Sequence, residues 1–202
     1  MNAILQTAAG NPENQDRGAV IHCGTKLVLI VADGAGGRSG GTEASTMAVE
    51  MVRRHAESLE DDDSCVKLLQ NLDRAIEQDK VAGETTCVVA VLTDGKIHGA
   101  SVGDSGAWLI PLNGSPVNLT AGQQRKPFLG SGSAWPVPFH HLKPEGLVLL
   151  ATDGLLKYTS ADRIVEICRS EPPEVASKNL IELVRYPSGK LPDDVTLILS
   201  KI

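Results

Sequence analysis

Leu27 to Gly34 reads LVLIVADG and Leu147 to Gly154 reads LVLLATDG, so two apolar runs of nearly the same wording each end on Asp-Gly. A run of about six residues rich in Val, Leu and Ile suits a strand covered on both faces. The Gly that follows lets the chain turn sharply and leaves the Asp at the strand's end. Two buried strands therefore deliver one carboxylate each, Asp33 and Asp153. A carboxylate so placed is costly unless neutralised, and the simplest neutraliser for several converging carboxylates is a divalent cation. The bland alternative is that Asp-Gly is a two-residue hairpin turn. Asp94-Gly95 shows that case, lying between the alternating runs Thr86 to Leu92 and Lys96 to Val102. Asp33-Gly34 runs instead into a Gly-rich stretch from Ala35 to Gly41. Asp153-Gly154 leads into Leu155 and Leu156, an apolar pair expected to pack inward as helix or turn.

The chain has 202 residues, 42% hydrophobic and 22% charged, which fits one domain spanning 1–202 with a substantial core. A net charge of −6 argues against nucleic acid or an anionic membrane as the main partner, since either wants a basic face. Cys23, Cys65, Cys87 and Cys168 show no C-x-x-C spacing and no signal peptide precedes them. They read as reduced thiols of a cytoplasmic protein, with zinc disfavoured. No apolar run approaches the roughly 20 residues of a membrane helix.

Hairpin grammar places strands over Ala19 to Cys23 and Lys26 to Ala32. Ala44, Met47, Ala48, Met51, Val52, His55 and Leu59 then share one helical face, and Cys65, Leu69, Leu72 and Ile76 share another. The acidic run Glu60 to Asp63 between them is read as a solvated linker that caps the second helix. Strands follow over Thr85 to Leu92, Lys96 to Val102, Ala107 to Pro111, Val117 to Leu119 and Leu147 to Ala151; short turns make most of them antiparallel. Thr120 to Pro144, rich in Gly, Pro and Ser, is expected to be surface loop. Ala161 to Arg169 and Pro173 to Val184 read as helices, and Val195 to Lys201 as a closing strand. Strands grouped apart from helices mean α+β.

An Asp sits at the edge of a strand or turn in five widely spaced segments: NQD at Asn14 to Asp16, ADG at Ala32 to Gly34, VGDS at Val102 to Ser105, TDG at Thr152 to Gly154 and DDVT at Asp193 to Thr196. With the GETT of Gly83 to Thr86, these segments in this order resemble the metal-dependent protein phosphatase 2C family of serine/threonine phosphatases. Its compact bacterial-type members are the nearest in form. The resemblance spans about Asn14 to Ser200, and several motifs in order are far more specific than any one alone.

That resemblance implies a four-layer sandwich, two antiparallel β-sheets flanked by α-helices, with two Mn²⁺ or Mg²⁺ ions at one end. By position, Asp33 would bridge both ions with the Gly34 carbonyl as a further ligand, Asp153 and Asp193 would hold one ion, and Asp16 would support the other. Asp104 matches the position associated with a third, weaker ion. An all-oxygen ligand set fits either metal. The implied chemistry is attack on phosphoserine or phosphothreonine in a protein by a metal-bridging hydroxide. Asp16, Asp33, Asp153 and Asp193 are its catalytic carboxylates. A kinase-regulated signalling protein is the expected substrate and a monomer the expected state.

Departures from the family pattern fall at two places. Position 11, where many members carry a phosphate-gripping Arg, holds Asn11, and Ala35 replaces a His that some relatives use near the leaving group. Arg17 and Arg38 are substitutes on paper for the missing Arg, though each reads more readily as a solvated loop residue. His22, His55, His98, His140 and His141 carry no motif and are assigned to packing or surface. The missing Arg also motivates an alternative function, a catalytically weak or inactive phosphatase-like binding or regulatory module.

Overall fold

The computed structural model describes residues 1–35 and 40–202. Among the described residues, ten strands form two five-stranded antiparallel sheets. One has the order β1-β10-β9-β6-β7, from Asn2–Ala8 (β1), Gly106–Ile110 (β6), Val117–Asn118 (β7), Leu147–Ala151 (β9) and Val195–Lys201 (β10). The other has the order β2-β3-β4-β5-β8, from Asp16–Cys23 (β2), Lys26–Asp33 (β3), Cys87–Thr93 (β4), Lys96–Val102 (β5) and Val137–Leu142 (β8). Helices α1 (Gly41–His55) and α2 (Asp62–Gln78), linked by a 3-10 turn, cover the second sheet. Helices α3 (Asp153–Leu156), α4 (Ala161–Ser170) and α5 (Pro173–Leu183) cover the first. This is the four-layer α+β sandwich that the sequence led us to expect.

The continuous apolar runs follow from that layering. In β3, Val28, Ile30 and Ala32 face the helices while Leu27, Leu29 and Val31 face the other sheet. In β9, Leu147, Leu149 and Ala151 meet α3–α5 while Val148 and Leu150 face inward. Both faces are dry, so period-2 alternation of polar and apolar residues disappears. Each fully buried Leu or Ile contributes about 1.5–3 kcal/mol of burial.

Turn and cap chemistry is equally direct. Asp94-Gly95 joins β4 to β5 with Thr93 opposite Lys96, and Gly95 takes φ 78°, so this Asp-Gly is a hairpin turn. Asp61 caps α2: its side chain accepts from the Ser64 N–H at 2.8 Å, and Ser64 returns a contact to the Asp61 N–H at 3.1 Å. That reciprocal pair gives the acidic linker its role.

Two elements depart from the sequence reading. β1 has no counterpart in it, because an edge strand with one wet face carries no strong pattern. The segment Thr120 to Pro144 is not all loop, since β8 closes the edge of the second sheet beside β5. Pro138 and the mixed exposure of β8 disguise it, and Pro is tolerated at a sheet edge. The strand is fixed by Phe139, whose buried ring lies over Gly99, its register partner.

Candidate active site

Antiparallel order brings the motif carboxylates to one end of the sandwich. β3 and β9 both finish there, delivering Asp33 and Asp153; β5 finishes there just before Asp104; β2 begins there on Asp16 itself, and β10 begins there two residues after Asp193. Asp16 and Asp33 are direct register partners. The Asp-Gly glycines serve close approach rather than a left-handed turn. A Cβ on Gly34 would lie 2.3 Å from the Gly41 carbonyl oxygen, and one on Gly154 would lie 1.8 Å from that of Asp194. Neither glycine has a positive φ, so each lets the chain pass close to a neighbouring backbone where the strand ends.

A cleft of about 560 Å³ opens at this end, lined by Asp33, Asp104, Asp153 and Asp193 together with Asn11 and Gln15. Asp16 lies beneath, only 3% exposed. Its Oδ2 accepts from the Thr152 hydroxyl at 2.8 Å, while its Oδ1 has no hydrogen-bond partner. Burial, more than any neighbour, raises the Asp16 carboxyl to about 7. Burial likewise raises Asp33 to about 9, reinforced by the charges of Asp16, Asp153, Asp193 and Asp104. Asp153 is raised by burial and then by Asp104 and Asp193. Each carboxylate therefore feels the others.

The framework around them is hydrogen-bonded. The Asp33 N–H donates to Thr86 Oγ1 at 3.1 Å, and that hydroxyl pairs with Ser105 Oγ at 2.6 Å. Asp193 Oδ1 accepts from Asn11 Nδ2 at 3.0 Å. Its neighbour Asp194 is structural: Oδ1 accepts the N–H groups of Gly10 and Asn11, and Oδ2 that of Gln15, at 2.8, 3.0 and 2.9 Å. So both adjacent acids of DDVT border the cleft, and Asp194 is the one that also ties down the backbone of residues 10–15.

Other expectations resolve as follows. Arg17 folds back onto the carbonyls of Asn14 and Asp16, which removes it as a phosphate ligand. Arg38 lies outside the described residues, as do Gly36, Gly37 and Ser39 of the Gly-rich stretch. No His lines the cleft among the described residues. His98 is buried in β5, and His140 meets Asp62 at 3.4 Å on the far side of the second sheet. Three cleft cations escaped sequence reasoning: Arg125, Lys126 and Lys157. Arg125 and Lys126 reach the acids by the path of the loop after β7, which leaves no local signal, whereas Lys157 lies four residues after Asp153, one helical turn away.

The residues suit a hard divalent cation by chemistry. The donors are all oxygen, one buried carboxylate oxygen is unpartnered, and burial, reinforced by mutual repulsion, raises the acids' proton affinity. Among the described residues, no group of three or more His, Cys, Asp or Glu side chains is drawn together tightly enough to hold an ion as it stands.

A family model for protein phosphatase 2C matches residues 7–185. The chain is 28% identical over 230 residues to fig, the protein phosphatase PTC7 homologue of Drosophila ananassae, covering 87% of this chain and 69% of that one. Its fold is similar to that of serine/threonine phosphatase Stp1 from Staphylococcus aureus, with TM-score 0.85 at 20% identity over 99% of this chain and 94% of that one. It is also similar to RsbX in complex with magnesium, with TM-score 0.77 at 20% identity over 98% and 92% of the two chains. The chain belongs to the protein phosphatase 2C family, a class of metal-dependent enzymes that hydrolyse phosphate esters of serine and threonine in proteins. Nothing in these comparisons favours the inactive alternative.

Proposed function

We propose that this cleft hydrolyses phosphoserine and phosphothreonine in a kinase-regulated signalling protein, using two Mn²⁺ or Mg²⁺ ions. In this reading Asp33 and the Gly34 carbonyl would help to hold the ions. Asp153 and Asp193 serve one ion, Asp16 supports the other, and Asp104 serves a third and weaker one. When bound, such cations supply a water of lowered pKa and neutralise charge on the phosphoryl oxygens.

The chain's own residues prepare that chemistry. The Thr152 hydroxyl holds Asp16 through Oδ2 and leaves Oδ1 available. Asn11 orients Asp193. Asp194 locks the segment 10–15 against the start of β10, which fixes the rim of the cleft. Thr86 and Ser105 fix the backbone from which Asp33 projects.

The observation that carries the reading is the set of acids with raised proton affinity around the unpartnered Asp16 oxygen. A structural ion pair would lower a carboxylate pKa; here burial first, and then the neighbouring acids, raise it. The same reading has the enzyme act in the cytoplasm as a monomer. Among the described residues no helix is long and apolar enough to cross a membrane. The test is phosphopeptide hydrolysis during Mn²⁺ and Mg²⁺ titration. Activity should rise from nothing with metal, and full activity after exhaustive chelation would overturn the proposal.

A further inference from the structure

A phosphate ester reaching this cleft meets a strongly acidic surface, so the chain must supply cations of its own that face the substrate. The segment 11–15 contributes only uncharged lining residues, Asn11 and Gln15. Positive charge among the described lining residues comes from the loop at Arg125 and Lys126 and from Lys157, the C-cap of α3. Lys126 is turned toward Phe128, its Nζ 5.3 Å from the ring centre. Arg125 donates from Nε to Asp104 Oδ2 at 2.7 Å, and Lys157 Nζ lies 3.8 Å from Asp153 Oδ2. A second recess of about 320 Å³ is lined by Asp104, Arg125, Asp153, Leu156 and Lys157, so these two cations stand where it adjoins the main cleft.

Resting on the phosphatase reading above, we infer that Arg125, assisted by Lys157, is the substrate-phosphate grip of this chain. The Arg125 side chain is 70% exposed and that of Lys157, whose Nζ also lies 5.2 Å from the Tyr158 ring centre, 52%, so their exposed pairs hold them weakly. A guanidinium meeting a phosphate makes two parallel N–H···O bonds, whereas here Nε alone meets Asp104. A phosphate is thus the better partner for Arg125. The ammonium of Lys157 adds a point charge without a fork, and the apolar side of the second recess, at Leu156, offers room for the part of the substrate beyond the ester.

The experiment compares wild type with Arg125→Ala, Arg125→Lys and Lys157→Ala in the full chain. It reads KM and kcat on a phosphopeptide, binding of inorganic phosphate to the Mn²⁺-loaded protein by calorimetry, and Mn²⁺ affinity itself. Arg125→Ala should raise KM and weaken phosphate binding by about tenfold or more, with a smaller change in kcat. Arg125→Lys should recover only part of the loss, and Lys157→Ala should show a smaller effect in the same direction. Mn²⁺ affinity should hold or improve, because Asp104 loses a competing partner. If Arg125→Ala tightens Mn²⁺ while leaving KM and phosphate binding at wild-type values, Arg125 only neutralises Asp104 and the inference is overturned. A wild type without phosphopeptide turnover would defeat the phosphatase reading, while the calorimetric arm would still decide the role of Arg125.

Discussion

Asp16 stands directly opposite Asp33 at the open end of the β2–β3 ladder, two carboxylates on one face of neighbouring strands. Like charges so placed repel. The fold keeps them adjacent because the Thr152 hydroxyl holds one, and because protonation or a cation relieves the other.

That pairing makes the metal-free protein sensitive to alkali. Asp16 at about 7 and Asp33 at about 9 both lie above the 3.8 of an unperturbed Asp, so the folded chain binds more protons than the unfolded chain between those limits. Stability contributed by these groups is present in full below about pH 4 and declines as pH rises through 7 and then 9. Thermal melts in chelator from pH 5 to 9 should show Tm falling, with the upper part of the fall flattened in Asp33→Asn. A Tm that climbs steadily over this range would contradict the assignment.

Asp33→Asn should leave the metal-free chain as stable as wild type or more so, while abolishing turnover and most of the stabilisation by Mn²⁺. Asp153→Asn should behave alike. Asp94→Asn, in the β4–β5 turn where Asn-Gly serves equally well, should match wild type in both assays. Melts with and without Mn²⁺, run beside the phosphatase assay, separate the three. Wild-type metal response in Asp33→Asn would refute the ligand role of Asp33.

Thr152→Val removes the donor to Asp16 and the acceptor for the Thr196 N–H in one substitution of similar shape. The expected cost is about 1–3 kcal/mol in urea denaturation, because buried polar groups are left unpartnered. Mn²⁺ affinity should fall with it. Unchanged stability would show that water enters and replaces the hydroxyl.

Asn11→Arg should lower KM for a phosphopeptide more than it alters kcat, since the new side chain adds phosphate binding at the cleft wall. The loss of the Asn11 contact to Asp193 sets the opposing effect. Steady-state kinetics on wild type and variant decide it; no movement in either constant would mean that an Arg at position 11 does not reach the phosphate.

Thiol reagents should leave activity intact. Cys65, Cys87 and Cys168 are buried, and burial pushes the Cys65 and Cys168 thiols up to about 12 and the Cys87 thiol up as well. Treatment of the native protein with iodoacetamide, followed by the phosphopeptide assay, checks this. Stoichiometric inactivation would point to a cysteine nucleophile instead.

The acidic half of the candidate site was legible because each carboxylate ends or begins a strand, and strand ends have local signatures. Asp33 and Asp153 stand out by their apolar runs, Asp94 by the alternation on either side. The division of labour between Asp193 and Asp194 was not legible, since both have the same sequence surroundings and only the backbone of Gly10, Asn11 and Gln15 distinguishes them. Arg125 escaped for a related reason: its partner Asp104 is 21 residues away and the pair is made by loop geometry. β8 escaped because the partner that identifies it, Gly99, is on another strand.

β10 lies in the interior of its sheet, between β1 and β9, although it comes after every other described strand in sequence. A growing chain released from the ribosome in order therefore presents β1 and β9 with a gap between them until Val195–Lys201 arrives. The same late segment brings Asp193 to the cleft and lets Asp194 seize the backbone of residues 10–15. Contacts spanning so much sequence form slowly. Phosphatase competence should accordingly appear only once Val195–Lys201 has taken its place between β1 and β9.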